Sequence, residues 1–69
     1  MKFLINGETK NIYIKESPPN LNLLITALGL NPKLIVIEFN GVILNQQNWG
    51  DQEVKDGDRL EIVTIVGGG

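Results

Sequence analysis

The last three residues of this chain are the ones most suited to take part in a chemical reaction: Gly67, Gly68 and Gly69. They follow the apolar pair Ile65-Val66 without a polar cap or a charged tail. Because glycine has no Cβ, an extended glycine segment can enter a narrow channel and adopt φ and ψ values closed to other residues. The terminal carboxylate of Gly69 would also be unhindered, so it could attack a nucleotide phosphate and later react at its carbonyl carbon. A frayed chain end is the alternative interpretation of these residues.

The side chains offer no other reactive arrangement. The 69 residues include no cysteine and no histidine, which excludes disulfides and cysteine-based metal or redox sites and removes the usual general base. No nucleophile is paired with a base, and no glycine-rich phosphate loop opens a helix. We therefore predict that the chain is not an enzyme, binds no cofactor or metal, and presents its end group to a partner enzyme.

The amino-acid composition limits which classes of binding partner and which cellular location are expected. Six basic and eight acidic residues give a net charge of −2 without a basic stripe, which argues against nucleic-acid binding. The longest apolar run, 34–37, is too short to cross a bilayer, and Asn6-Gly7-Glu8 interrupts a possible signal peptide. We expect a soluble cytoplasmic protein with no membrane partner, monomeric when free, with one domain over 1–66 and a flexible tail over 67–69.

The elements that must position this tail begin with a hairpin and a helix. Alternating apolar residues in 1–6 and 12–14 predict two strands joined by a four- or five-residue loop. Ser17-Pro18-Pro19 ends the sheet segment, and Asn20 is a good N-cap. The following residues form one apolar stripe with helical spacing: Leu21, Leu24, Ile25 and Leu28. Gly29 then predicts the end of the helix.

The second half of the sequence predicts three more strands. The run 34–37 is apolar on both faces, so its buried face stays open at this point. Asn40-Gly41 predicts a tight turn into the short strand 42–44, and Asp56-Gly57-Asp58 predicts another turn. We interpret Trp49 as a plug over the edge of the core. The last strand, 59–66, would place Leu60, Ile62 and Thr64 inward and Glu61, Val63 and Ile65 outward.

This order of elements predicts an α+β fold. One amphipathic helix would cover one face of a mixed four- to five-stranded sheet, with the first and last strands parallel neighbours. That arrangement is the ubiquitin-like β-grasp fold.

The sequence resembles the ThiS family, the sulfur carriers of thiamine (thiazole) biosynthesis. The resemblance runs the whole length of the chain. The most specific part of the resemblance combines the Asp-Gly-Asp turn, the strand after that turn and the terminal glycines. The whole resemblance is carried by Asn6-Gly7, Phe39-Asn40-Gly41, Trp49, the run 56–63, and Thr64-Ile65-Val66-Gly67-Gly68-Gly69.

The resemblance implies a sequence of reactions at Gly69. An E1-like adenylyltransferase would use ATP to adenylate the Gly69 carboxylate. Sulfur from a persulfide, supplied indirectly by a cysteine desulfurase or another donor, would then leave Gly69 as a thiocarboxylate. A thiazole synthase would accept that sulfur.

Strand periodicity predicts a docking surface beside the tail. If Leu60 and Ile62 face the helix, Val63 and Ile65 lie on the open face of the sheet. We expect Leu4 and Val36 on neighbouring strands, together with Val66, to extend them into an exposed apolar patch that binds partner proteins. Ordinary scattered apolar exposure is the alternative. The acidic residues of the open surface could steer a basic partner or simply be solvated: Glu53, Asp56, Asp58 and Glu61.

Three alternative functions remain open. Carriers for molybdopterin synthesis or tRNA thiolation share the fold and the terminal Gly-Gly, although Thr64-Ile65-Val66 lacks the proline and aromatic residues that tend to precede the glycines in the molybdopterin carriers. A ubiquitin-like modifier would join Gly69 to a lysine through an isopeptide bond. A β-grasp binding module would not use the tail at all.

Overall fold

The computed structural model describes residues 1–65 and contains a five-stranded sheet covered by a helix on one face. The elements, in chain order, are β1 (Lys2–Ile5), β2 (Glu8–Asn11), α1 (Leu21–Ala27), β3 (Ile35–Phe39), β4 (Val42–Leu44) and β5 (Arg59–Thr64), with 3₁₀ turns at Pro32–Leu34 and Gln46–Asp51. The strand order is β2-β1-β5-β3-β4. β1 and β5 are parallel and the other neighbours are antiparallel. The predicted α+β β-grasp fold is confirmed.

The first hairpin is tighter than the sequence analysis predicted. Its turn is the two residues Asn6 and Gly7, both at positive φ (50° and 82°), as a type I′ turn requires. The second strand is therefore β2, and the prediction of a strand at 12–14 after a longer loop is wrong. β2 is fully exposed, so the strand has no buried alternation that the sequence could reveal.

Helix α1 begins and ends as predicted. The Asn20 side chain accepts a hydrogen bond from the Leu23 backbone N–H at 2.9 Å, and Gly29 adopts a φ of +73° just after the helix. The chain entering the helix is also fixed, because the Leu21 N–H donates to the Gln52 carbonyl at 2.8 Å. The apolar stripe of the helix is buried against the sheet except for the half-buried Leu28.

The core lies between α1 and the sheet. Strand β3 alternates strictly, with its odd-numbered residues buried and Val36 exposed, which settles which face of that segment is buried. Trp49 is 1% exposed, and its indole N–H donates to the Leu44 carbonyl at 3.1 Å. The buried set also includes Val54, which sits in a charged stretch of the sequence: Phe3, Ile5, Leu21, Leu24, Ile25, Ile35, Ile37, Phe39, Trp49, Val54 and Leu60.

Candidate functional site

Strand β5 is the element that leads to the predicted reacting end. It lies in the middle of the sheet between β1 and β3, and its Leu60 is fully buried. Ile62 is half-buried, and Thr64 is exposed although it shares the helix-covered side. The predicted reacting residues, Gly67 to Gly69, and the predicted contact residue Val66 lie outside the described residues. The described part of the candidate site therefore ends at Ile65.

The Asn6 side chain continues the pairing of β5 after β1 has ended. Its Oδ1 accepts a hydrogen bond from the Ile62 N–H at 2.7 Å, and its Nδ2 donates to the Ile62 carbonyl at 3.1 Å. The Asn6 backbone N–H also donates to the Leu60 carbonyl at 2.9 Å. One carboxamide thus takes the place of a further β1 residue and fixes β5 two residues before Thr64.

The Asn40 side chain likewise forms a hydrogen bond with the β5 backbone, at the start of the strand. Its Oδ1 accepts from the Arg59 N–H at 2.8 Å, and its Nδ2 donates to Asp58 Oδ1 at 3.1 Å. The Asn40 backbone N–H donates to the Arg59 carbonyl at 2.8 Å. In the sequence, both Asn-Gly pairs carry the family resemblance and Asn40-Gly41 predicts a turn, but the hydrogen bonds from their carboxamides to β5 were not predicted. The signal was the repeated use of Asn at the first position of the two turns.

An apolar patch lies at the end of β5. Val63 and Val36 are directly opposite each other in the β3–β5 ladder and are 62% and 39% exposed. Beyond them, the Ile65 N–H donates to the Leu34 carbonyl at 2.6 Å, and both side chains are exposed. We call Leu34, Val36, Val63 and Ile65 the apolar patch.

Leu4 does not join the apolar patch, and its predicted place there is wrong. It is half-buried and lies opposite Arg59 in the β1–β5 ladder. Val63 is four residues further along β5, about 13 Å away at the usual rise per residue. The register of two parallel strands distant in sequence was not readable from their alternation, and Leu34, which the sequence analysis left out, lies beside Ile65 instead.

The acidic residues near β5 have different roles. Asp56 Oδ1 accepts from the Lys2 N–H at 2.7 Å, and Asp58 Oδ2 accepts from the Lys55 N–H at 2.7 Å. These two carboxylates therefore hold the turn and the adjacent strand end. Glu38 and Glu61 instead face each other across β3 and β5, where like charges are unfavourable. A cationic group of a partner would relieve that repulsion.

Two other kinds of feature bear on function in the described part of the chain: clustered metal ligands and membrane-spanning helices. Across residues 1–65, no three His, Cys, Asp or Glu side chains are grouped so that they could hold a metal ion. No helix in the same range is long and apolar enough to cross a membrane.

Comparison with known proteins agrees with this fold. A model of the ThiS family matches residues 3–69. The sulfur carrier protein ThiS of Bacillus subtilis (strain 168) is 31% identical over 65 residues, which cover 94% of this chain and 96% of that protein. The crystal structure of a thiamine biosynthesis protein (ThiS) from Geobacter metallireducens superposes with a TM-score of 0.80 at 28% identity, with full coverage of both chains.

A longer relative also contains a similar region. A thiazole synthase of Paramagnetospirillum magneticum (strain ATCC 700264 / AMB-1) is 35% identical over 69 residues, which are all of this chain but only 20% of that protein. With the family model matched from residue 3 to residue 69 and the fold shared with a solved ThiS protein, this chain belongs to the ThiS family.

Proposed function

We propose that this chain is a sulfur carrier for the formation of the thiamine thiazole, and that the carboxylate of Gly69 is its reacting group. The observation that carries the proposal is the ThiS family match, which extends through the three glycines that follow β5. Tight anchoring of β5 at Arg59 and Ile62 supports it, because a fixed strand gives the tail a defined point of departure from the domain.

The first step activates the carboxylate. In the site of an E1-like enzyme, an oxygen of the Gly69 carboxylate attacks the α-phosphate of ATP, and the bond to the β-phosphate breaks. Pyrophosphate leaves, and Gly69 becomes an acyl adenylate. The E1-like partner, rather than this chain, binds the ATP that this step consumes. The contribution of this chain is a reacting end without side-chain bulk.

The second step introduces sulfur. The outer sulfur of a persulfide, derived from a cysteine desulfurase or another donor, attacks the Gly69 carbonyl carbon and displaces AMP. A second thiol then attacks the inner sulfur of the resulting acyl disulfide, so that a disulfide forms on the partner and the thiocarboxylate remains on Gly69. All thiols must come from partners, because these 69 residues contain no cysteine.

A thiazole synthase is the proposed recipient of the sulfur. A protein of that name contains a region similar to the whole of this chain, which supports a direct association between the two activities. The apolar patch is the proposed contact surface for the partners, because it is exposed and lies where β5 leads into the tail. The facing pair Glu38 and Glu61 adjoins Val36 and Val63 in the ladder and favours a partner with a basic rim.

The test is the intact mass of the chain after incubation with ATP, its E1-like partner and a persulfide donor, with fragmentation to locate the change. We expect a mass gain equal to replacement of one oxygen by sulfur, localised to Gly69. A variant without Gly68 and Gly69 is the control and should remain unmodified. If the complete chain gains neither adenylate nor sulfur, the carrier function is wrong; an isopeptide-linked product would instead indicate a protein modifier.

A further inference from the structure

Along β5, the backbone N–H and carbonyl groups of successive residues point alternately toward β3 and toward β1. The Arg59 carbonyl and the Ile65 N–H bond to Asn40 and Leu34 on the β3 side. The Leu60 carbonyl and both backbone groups of Ile62 bond to Asn6 on the β1 side. Because polar groups alternate between the two edges of a strand, the N–H and carbonyl of the next even residue, Thr64, also point toward the β1 side.

No strand lies beside Thr64 on that side within residues 1–65. β1 ends at Ile5, and the Asn6-Gly7 turn then leads the chain away into β2. On the β3 side, Thr64 lies opposite Ile35. The two residues form a non-hydrogen-bonded pair of the antiparallel ladder, so the Thr64 backbone groups do not bond to β3. The backbone of Thr64 therefore offers one donor and one acceptor at an open strand edge.

A notch lies at this open edge. Its volume is about 210 Å³. Apolar and polar side chains both line it: Ile5, Leu28, Leu30 and Ile62 on the apolar part, and Asn6, Lys10 and Thr64 on the polar part. An apolar cavity of about 150 Å³ can hold a benzene molecule, so the notch has room for one apolar side chain. The fully exposed edge strand β2 brings the Lys10 cation to its rim.

We propose that the thiazole synthase adds an extended segment as a strand beside Thr64, with an apolar side chain in the notch and a carboxylate near Lys10. Strand addition fits because main-chain hydrogen bonds provide the binding energy and the side-chain pocket provides selectivity. Such a segment replaces the missing part of β1 and keeps β5 extended where the tail leaves the domain. This inference rests on the proposed function, since the partner is the thiazole synthase proposed to accept the sulfur, and a protein of that name contains a region similar to this whole chain.

Hydrogen–deuterium exchange resolved to single residues tests the pairing directly. In the free chain we expect the Thr64 amide to exchange fast and the Ile62 amide, bonded to Asn6, to exchange slowly. In the complex with saturating thiazole synthase, exchange at Thr64 should slow at least about tenfold. A complex in which Thr64 exchanges as in the free chain overturns strand addition.

The same sample separates this inference from the proposed function. Formation of the Gly69 thiocarboxylate with the E1-like partner is measured independently of the Thr64 amide. A chain that gains sulfur and binds the synthase with an unprotected Thr64 retains the carrier function without strand addition. Absence of any complex with the synthase overturns strand addition, and absence of sulfur on Gly69 overturns the carrier function.

Substitution of Thr64 gives a second test. Thr64→Pro removes the edge N–H and leaves the bonds from β5 to β3 in place, as proline is tolerated on an open strand edge. Thr64→Val is the matched control because it keeps the N–H and a β-branched side chain. The dissociation constant for the synthase should rise about tenfold for the proline variant relative to the valine variant. Equal affinities would contradict the proposal.

Lys10→Glu tests the same site without altering the backbone of β5. Lys10 is exposed on an edge strand, so the fold should be retained even if Thr64→Pro does not fold. We expect weaker binding to the synthase, with the difference from the unmodified chain shrinking at high salt. Unchanged affinity at low salt would overturn the role of Lys10 at the rim.

Discussion

Asn6 and Asn40 show how one residue type can shape both a turn and the strand beside it. Each stands at the first position of an Asn-Gly pair with a φ near +50°, a conformation that asparagine tolerates better than most residues. Each then directs its carboxamide to the backbone of β5. The two effects can be separated by substitution.

Asn6→Gly and Asn6→Ala distinguish the hydrogen bonds from the backbone conformation. Asn6→Gly loses both bonds to Ile62 but fits the positive φ, and we expect a loss of about 1–2 kcal/mol in the free energy of unfolding. Asn6→Ala adds the cost of a left-handed alanine, about 1 kcal/mol more. Urea unfolding measures both. Equal stability of Asn6→Gly and the unmodified chain would show that the carboxamide contributes nothing.

Trp49 combines core packing with one specific hydrogen bond. Trp49→Phe keeps an aromatic ring but leaves the Leu44 carbonyl without the indole donor, and we expect a loss of about 1–3 kcal/mol in the free energy of unfolding. Thermal unfolding followed by circular dichroism measures it. Tyr13→Phe is the control, because Tyr13 is 83% exposed and its substitution should leave the melting temperature unchanged. A Trp49→Phe variant as stable as the unmodified chain would contradict the assignment.

At the scale of elements, α1 depends on the residue that caps its N-terminus. Its seven residues are too few for an isolated helix to be stable in water, so capping and packing must both contribute. The Asn20 side chain supplies the cap, and the bond from Leu21 to Gln52 joins the helix start to the loop before β5. The helix and that loop are therefore expected to form together.

Asn20→Ala removes the cap and should lower the free energy of unfolding by about 1 kcal/mol. Asn22→Ala, two residues further and exposed, is the matched control; alanine has the higher helix propensity, so stability should stay the same or rise. Chemical denaturation of the two variants gives the comparison. If Asn20→Ala is no less stable than Asn22→Ala, the Asn20 cap does not stabilise the helix.

At the scale of the whole molecule, the two faces of the sheet differ in burial. The face under α1 carries the core, and a domain this small retains a total stability of only roughly 3–5 kcal/mol. The other face carries the exposed pair Val36 and Val63. Substitutions on the two faces should therefore differ in what they impair.

Ile37→Ala and Val63→Asp test this division. Ile37 is fully buried, and truncation of such a side chain costs about 2–5 kcal/mol, so Ile37→Ala should remove a large part of the free energy of unfolding. Val63→Asp should lose less stability than Ile37→Ala, because Val63 is exposed, but it should bind the E1-like enzyme and the synthase more weakly, because it places a charge in the apolar patch. Circular dichroism and a binding titration measure the two effects. A Val63→Asp variant with unchanged affinity for both partners would rule out the patch as the contact surface.

Local patterns in the sequence were sufficient for much of the fold. The spacing of Leu21, Leu24 and Ile25 predicted the buried side of α1, and Asn20 and Gly29 predicted its ends. The parallel neighbours β1 and β5 followed from the order of elements and the helical connection. These features depend on neighbouring residues or on general connection rules, so a single sequence can reveal them.

The remaining features depended on contacts between distant segments. β2 is entirely exposed and exists because the Asn6-Gly7 turn folds the chain back onto β1, so no hydrophobic pattern marked it. Val54 is buried although its neighbours are charged, since the loop that carries it pairs with the segment entering α1, where the Val54 N–H donates to the Pro19 carbonyl at 3.1 Å.

The sequence by itself determined the β-grasp fold and the candidate reacting end at Gly69, because both rest on local residue types and on family resemblance. Only the tertiary structure decided which residues lie beside β5 as far as Ile65, the last residue that the structure describes. Register between strands is set by long-range pairing, which placed Leu4 opposite Arg59 instead of beside Val63. The same pairing left the backbone of Thr64 at an open edge, because β1 is shorter than the strand it accompanies.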